Sequence, residues 1–118
     1  MKFLIQIYHN QEALSSWESM TDEEREAGLQ QYAAFYDELT KSGELVMTEM
    51  LADPSQAKTV TAKDGKVTTA DGPFAEAKEH LAGIFLVDCA DMDRAVEIAG
   101  KIPEAASGLV DVRPTGEG

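Results

Sequence analysis

A chain of 118 residues has the length of one domain and can bury a single core without disulfide or metal staples. An apolar content of 43% fits a globular protein rather than a disordered one. The formal charge of −12, from 22 acidic and 10 basic side chains, leaves no positive surface for phosphates, so neither nucleic acid nor an anionic membrane is an expected partner.

In chain order, Lys2 to Tyr8 alternates with apolar groups on both faces, which predicts a central strand. Residues 11 to 19 suit a loop with one helical turn around Leu14 and Trp17. Thr21 followed by Glu24 is a capping-box spacing, and Asp22, Glu23 and Glu24 fill a first turn where the helix dipole favours acids. Leu29, Tyr32, Ala33, Tyr36 and Leu39 then form an apolar stripe, stopped by Gly43. Leu45 to Leu51 is a second strand. Lys58 to Lys63 and Lys66 to Ala70 flank Asp64-Gly65, the turn pair of a two-residue hairpin, and their small β-formers and lysines fit an exposed edge. Gly83 to Cys89 is a third core strand. Asp91 caps a second helix with stripe Ala95, Ile98, Ala99, Ile102, ended by Pro103. Leu109 to Arg113 is the last strand.

Apart from the hairpin, the order is strand–helix–strand twice over. That pattern predicts one α+β domain over 1–118, with a ferredoxin-like antiparallel sheet and two helices on one face. The other sheet face carries apolar residues and no helix, so a second copy of the same sheet is its expected cover, giving a homodimer. The lone Cys89 excludes an internal disulfide and fits a reducing compartment. MKFLIQIY lacks the apolar run of a signal peptide, and no segment is long and apolar enough to span a membrane, so the expected location is cytoplasmic.

Chemistry-bearing residues are few. His9, His80 and Cys89 are scattered, with no metal-ligand spacing and no glycine-rich phosphate loop, so neither metal nor organic cofactor is expected. Cys89 ends an apolar strand and reads as packing. The segment DGPFAEAKEH, Asp71 to His80, is denser. Asp71 before Gly72-Pro73 fits a turn that its carboxylate caps through backbone N–H groups. In an extended segment Glu76, Lys78 and His80 would project to one side, an acid, an amine and an imidazole in a row. Solvated they are inert; partly buried beneath a partner, their proton affinities would move toward catalytic use. Asp71, Glu76, Lys78 and His80 are therefore the candidate catalytic residues.

The stretch DGPFAEAKEHLAG resembles the signature of YCII-related proteins of the DGPF type. The MKFLIQIY opening, Tyr32 with Phe35-Tyr36, SGEL at Ser42 to Leu45 and the closing VDVRP extend the likeness along the chain. It implies a dimeric α+β barrel in which two ferredoxin-like sheets pack face to face. It further implies a small organic ligand in a cleft and cofactor-free acid/base chemistry of lyase or isomerase type. The competing implication is a non-catalytic ligand-sensing or partner-binding module in a sigma-factor-linked circuit. In the wider group, acid/base chemistry has been linked to a helix histidine paired with an aspartate. Tyr32 occupies that helix position here, and His80 stands where DGPF-type relatives are expected to carry glutamine, so the histidine pair does not carry over. Tyr32, His9 and Phe74 are the candidate ligand-lining residues.

Overall fold

A computed structural model describes residues 1–116. Strand β1 (Lys2–Asn10) is followed by α1 (Gln11–Ser19) and α2 (Asp22–Ser42), then β2 (Leu45–Met50) and a 3-10 turn at Pro54–Gln56. Strands β3 (Lys58–Lys63) and β4 (Lys66–Asp71) come next, then β5 (Glu79–Asp88) and α3 (Met92–Ala99). A second 3-10 turn (Pro103–Ser107) leads to β6 (Val110–Pro114). The main sheet has the order β2-β5-β1-β6, with each neighbouring pair antiparallel. That order is the ferredoxin-like arrangement of two strand–helix–strand halves.

Alternation along β1 sends Phe3, Ile5 and Ile7 to the helix side, where β5 adds Phe85 and Val87. Helix α2 meets them with Phe35 and Leu39, and α3 with Ala95, Ile98 and Ala99. Phe35 and Phe85 pack edge to face, with ring centroids 5.1 Å apart at 80°.

The α2 ends follow local chemistry. Thr21 Oγ1 accepts from the Glu24 amide while the Glu24 carboxylate accepts from the Thr21 amide, and Gly43 closes the helix at φ 80°. Its buried face overlaps the expected stripe only in part: Tyr32 and Leu39 pack inward as expected, Phe35 joins them, and Leu29 and Tyr36 are exposed. Residues 11–19 are a full helix, not a loop with a single turn, because Asn10 at the end of β1 accepts from the Ala13 amide as an N-cap. A bidentate pair from Arg94 to Glu44, at 2.9 and 2.7 Å, ties the start of α3 to the α2–β2 junction.

Two features of the sheet matter for the site. Its far face is open, and Leu4, Ile84 and Leu86 lie there half-buried beside the 39% exposed Met47. The β3–β4 hairpin is a separate two-stranded ribbon, turned at Asp64 (φ 53°) and Gly65 (φ 76°) as the Asp-Gly pair predicts. The ribbon stands away from the body: every strand residue except Thr59 is exposed. The radius of gyration is accordingly 16.5 Å, against about 13.5 Å for a compact chain of this length.

Candidate functional site

A polar constellation drawn from three elements lies on the helix side at the end of the sheet. His9 continues the inward alternation of β1 two residues beyond the buried Ile7. Tyr32 comes from α2 and packs against the core. Glu104 sits in the first turn of the Pro103–Ser107 segment, which buried Ile102 and Leu109 pin at either end. The Tyr32 hydroxyl donates to Glu104 Oε1, and His9 Nε2 lies 3.1 Å from Glu104 Oε2. One carboxylate therefore uses both oxygens to fix two side chains from two other elements. Its side chain is 20% exposed and that of His9 38%, so the pair borders solvent rather than being sealed.

This geometry has defined chemical consequences. Burial, then the bond to Glu104, pushes the Tyr32 phenol far above its ordinary value, so it stays a neutral donor. When His9 Nε2–H donates to the carboxylate, Nδ1 carries the free lone pair, the arrangement of a general base oriented by an acid. Glu104 orients the ring, and Tyr32 anchors Glu104.

His80 stands directly opposite His9 in the β1–β5 register. Paired residues of an antiparallel ladder share a face with Cα atoms about 4.5–5.5 Å apart, so the chain's two imidazoles are neighbours. His80 also lines an open concavity of about 440 Å³, between residues 51–57 and 73–81. Leu51, Pro54, Phe74, Ala77 and Leu81 give it apolar walls. Its charged lining residues are Asp53 and Glu79, with no lysine or arginine. The Ser55 amide donates to Asp53 at 2.9 Å and holds that carboxyl below its usual range.

The remaining sequence candidates are dispersed. Asp71 ends β4 and binds Lys58 Nζ at 2.7 Å on the exposed hairpin base. It does not cap its own turn: the Gly72 amide donates to the Ala57 carbonyl at 2.7 Å and Thr59 Oγ1 donates to the Gly72 carbonyl at 2.9 Å. Gly72 turns the corner at φ 88°, a conformation that favours glycine. Glu76 and Lys78 are exposed and have no hydrogen-bond or ion-pair partner among the described residues. A turn closed by the Ala77 amide on the Phe74 carbonyl breaks the extended run, and His80 already belongs to β5, so these three do not form a row along one side. Phe74 is 74% exposed and forms the outer wall of the concavity. Glu104 was absent from the sequence candidates, since nothing in local spacing links a residue after Pro103 to positions 9 and 32. Among the described residues no cluster of three or more His, Cys, Asp or Glu could hold a metal ion, and no helix is long and apolar enough to cross a membrane.

Fold and site together define a small ferredoxin-like α+β protein with a carboxylate-oriented histidine beside an apolar concavity. The family model for the YCII-related domain matches residues 1–117, and the chain belongs to that family. It is also similar to an uncharacterised protein of Rhizobium meliloti (strain 1021), 31% identical over 116 residues that cover 97% of this chain and 91% of the relative.

Proposed function

We propose that this protein binds a small, uncharged, largely apolar organic molecule between Phe74 and His80 and moves a proton on it without a cofactor. The observation that carries the reading is Glu104 holding both Tyr32 and His9, which leaves His9 Nδ1 as an oriented base. A C–H acidified by a neighbouring carbonyl gives its proton to Nδ1, and the electron pair goes onto the carbonyl oxygen as an enolate. His80, across the ladder, returns a proton to the opposite position in an isomerisation. Carboxylates without a cation in the concavity disfavour an anionic ligand. In this reading Glu76 and Lys78 act only at the rim, and Asp71 holds the corner that carries Phe74.

The same reading takes the chain as a cytoplasmic, DGPF-type member of its family, on the Asp71–Phe74 corner and the single cysteine. It takes the working form as a homodimer, on the half-open apolar face carrying Leu4, Ile84 and Leu86. That face is also what favours the second reading, a sensing or partner-binding module.

The test uses a library of small ketones and lactones in heavy water, with deuterium uptake read by mass spectrometry. Amide shift changes in labelled protein report binding. Expected are shifts clustered at Phe74 and His80, and deuterium uptake lost in His9→Gln. Shifts confined to the open sheet face, or uptake unchanged in His9→Gln, would sink the catalytic reading in favour of the sensing one.

A further inference from the structure

The β3–β4 hairpin is the part of the molecule that the site does not use. Pairing along its ladder puts Val60, Ala62, Val67 and Thr69 on one face. Val60 and Val67 are 62% and 65% exposed. An isolated two-stranded ribbon is marginal in water and needs a further surface to hold it. The base is nonetheless fastened rigidly by the Gly72–Ala57 and Thr59–Gly72 bonds and by Lys58–Asp71, so the ribbon is held outward.

Charge says what it is held toward. Residues 58–71 carry three lysines and two aspartates, net +1, which leaves seven basic against twenty acidic residues, net −13, on the rest of the chain. At the outer end Lys63 and Lys66 face each other directly, and neither makes an ion pair among the described residues. Like charges directly opposite destabilise a ribbon by themselves and are relieved by an anionic neighbour. The body of a second copy of this chain is such a neighbour.

Area points the same way. Four strands spaced about 4.8 Å and about 20 Å long offer about 400 Å² of plan area, while a specific dimer buries about 800 Å² of accessible surface per partner. The two hairpin strands add about half as much again.

We propose that the hairpin is an arm that closes on a second copy of this chain, its valine face against that copy and the Lys63–Lys66 pair, on the other ribbon face at the tip, reaching round the turn to the acidic body. The arm reading rests on the homodimer of the proposed function but not on its chemistry. Because the arm's base borders the concavity through Ala57 and Pro73, an engaged arm also holds one wall of the ligand site in place.

The test has two parts. Val67→Cys is labelled with a benzophenone maleimide, the native thiol of Cys89 being buried, and irradiated in a mixture of isotopically light and heavy chains. Lys63→Glu/Lys66→Glu is compared with the parent for its dimer dissociation constant at about 0.05 M and about 0.5 M salt, where screening lengths are roughly 14 and 4 Å. Expected are light–heavy cross-linked peptides and at least a tenfold rise in the constant at low salt, shrinking at high salt. Only the two results together sustain the arm. A monomeric parent removes it along with the homodimer. A dimeric parent whose cross-links stay within one chain, or whose charge-reversed form stays within twofold, removes the arm and leaves the homodimer standing.

Discussion

Replacing Glu104 by Ala removes the acceptor for Tyr32 and the partner of His9 in one step. The Tyr32 hydroxyl is largely shielded among core neighbours and donates to a carboxylate, the class of hydrogen bond worth about 1.5–3 kcal/mol. The His9 bond is partly solvated, with a side chain 38% exposed, so it adds at most about 1 kcal/mol after screening. A total of about 1.5–4 kcal/mol follows. Unfolding entropy near 2.1 cal/mol/K per residue gives about 0.25 kcal/mol/K for this chain, or about 4 °C of Tm per kcal/mol. Glu104→Ala should therefore melt about 6–16 °C below the parent by differential scanning calorimetry. Glu104→Gln keeps a carbonyl oxygen for Tyr32 and should lose only about 3–6 °C, because a neutral acceptor gives roughly half the bond. Its amide turned toward His9 Nε2 makes that nitrogen the acceptor and moves the ring proton to Nδ1. Nitrogen-15 NMR of the imidazole should register the tautomer change, with deuterium uptake lost although the fold is intact. An Ala variant melting within 2 °C of the parent, or a Gln variant with the parent tautomer, would refute Glu104 as the organiser of the site.

Three further outcomes follow from the same structure. Tyr32 is held above its unfolded value of 10.0, so its contribution is complete below pH 10 and is lost as pH rises further, because the unfolded chain releases the proton first. Urea midpoints of the parent should fall more steeply above pH 10 than those of Tyr32→Phe, and equal slopes would contradict this. Glu44 is held below its ordinary value of 4.5, chiefly by its hydrogen bonds from Arg94, so it stabilises above pH 4.5 and that contribution disappears as pH falls. Glu44→Gln should consequently lose less stability than the parent between pH 5 and 3, by the same titration; parallel curves would remove the role given to the ion pair. Phe85→Ala empties the ring site against Phe35 and should cost about 3–5 kcal/mol in denaturant unfolding, and a loss under 1 kcal/mol would mean the core closes over the gap.

What could be read from the sequence was what local chemistry decides. The Thr21–Glu24 box, the Gly43 stop and the Asp64-Gly65 turn each act within a few residues, and each is where the pattern put it. The strand–helix order then carried the sheet arrangement. The buried face of α2 was partly misjudged because its sequence offers two apolar stripes. Tyr32 and Leu39 align by helical spacing with Leu29 and Tyr36 or equally with Phe35, and only the sheet beneath selects Phe35. Helix α1 was underestimated because its cap, Asn10, also closes a strand. The site was legible only in fragments. His9, Tyr32 and His80 were singled out separately, and the carboxylate joining two of them lies 72 residues beyond Tyr32. Glu76 and Lys78 drew notice through an alternation that holds only if the backbone is extended there, and a turn at Phe74–Ala77 cancels it.

The pairing of β1 with β5 slips between Ile7 and Tyr8: Gly83 faces Ile7, Leu81 faces Tyr8, and Ala82 stands unmatched. Ala82 thereby acts as a parity switch. Downstream of it, odd-numbered residues of β5 face the helices; upstream, even-numbered ones do, and His80 reaches the side of His9 only through that inversion. A regular ladder that paired Ala82 with Tyr8 would instead set Leu81 across from His9 and turn His80 to the open face, while every residue of the inner strand kept its place.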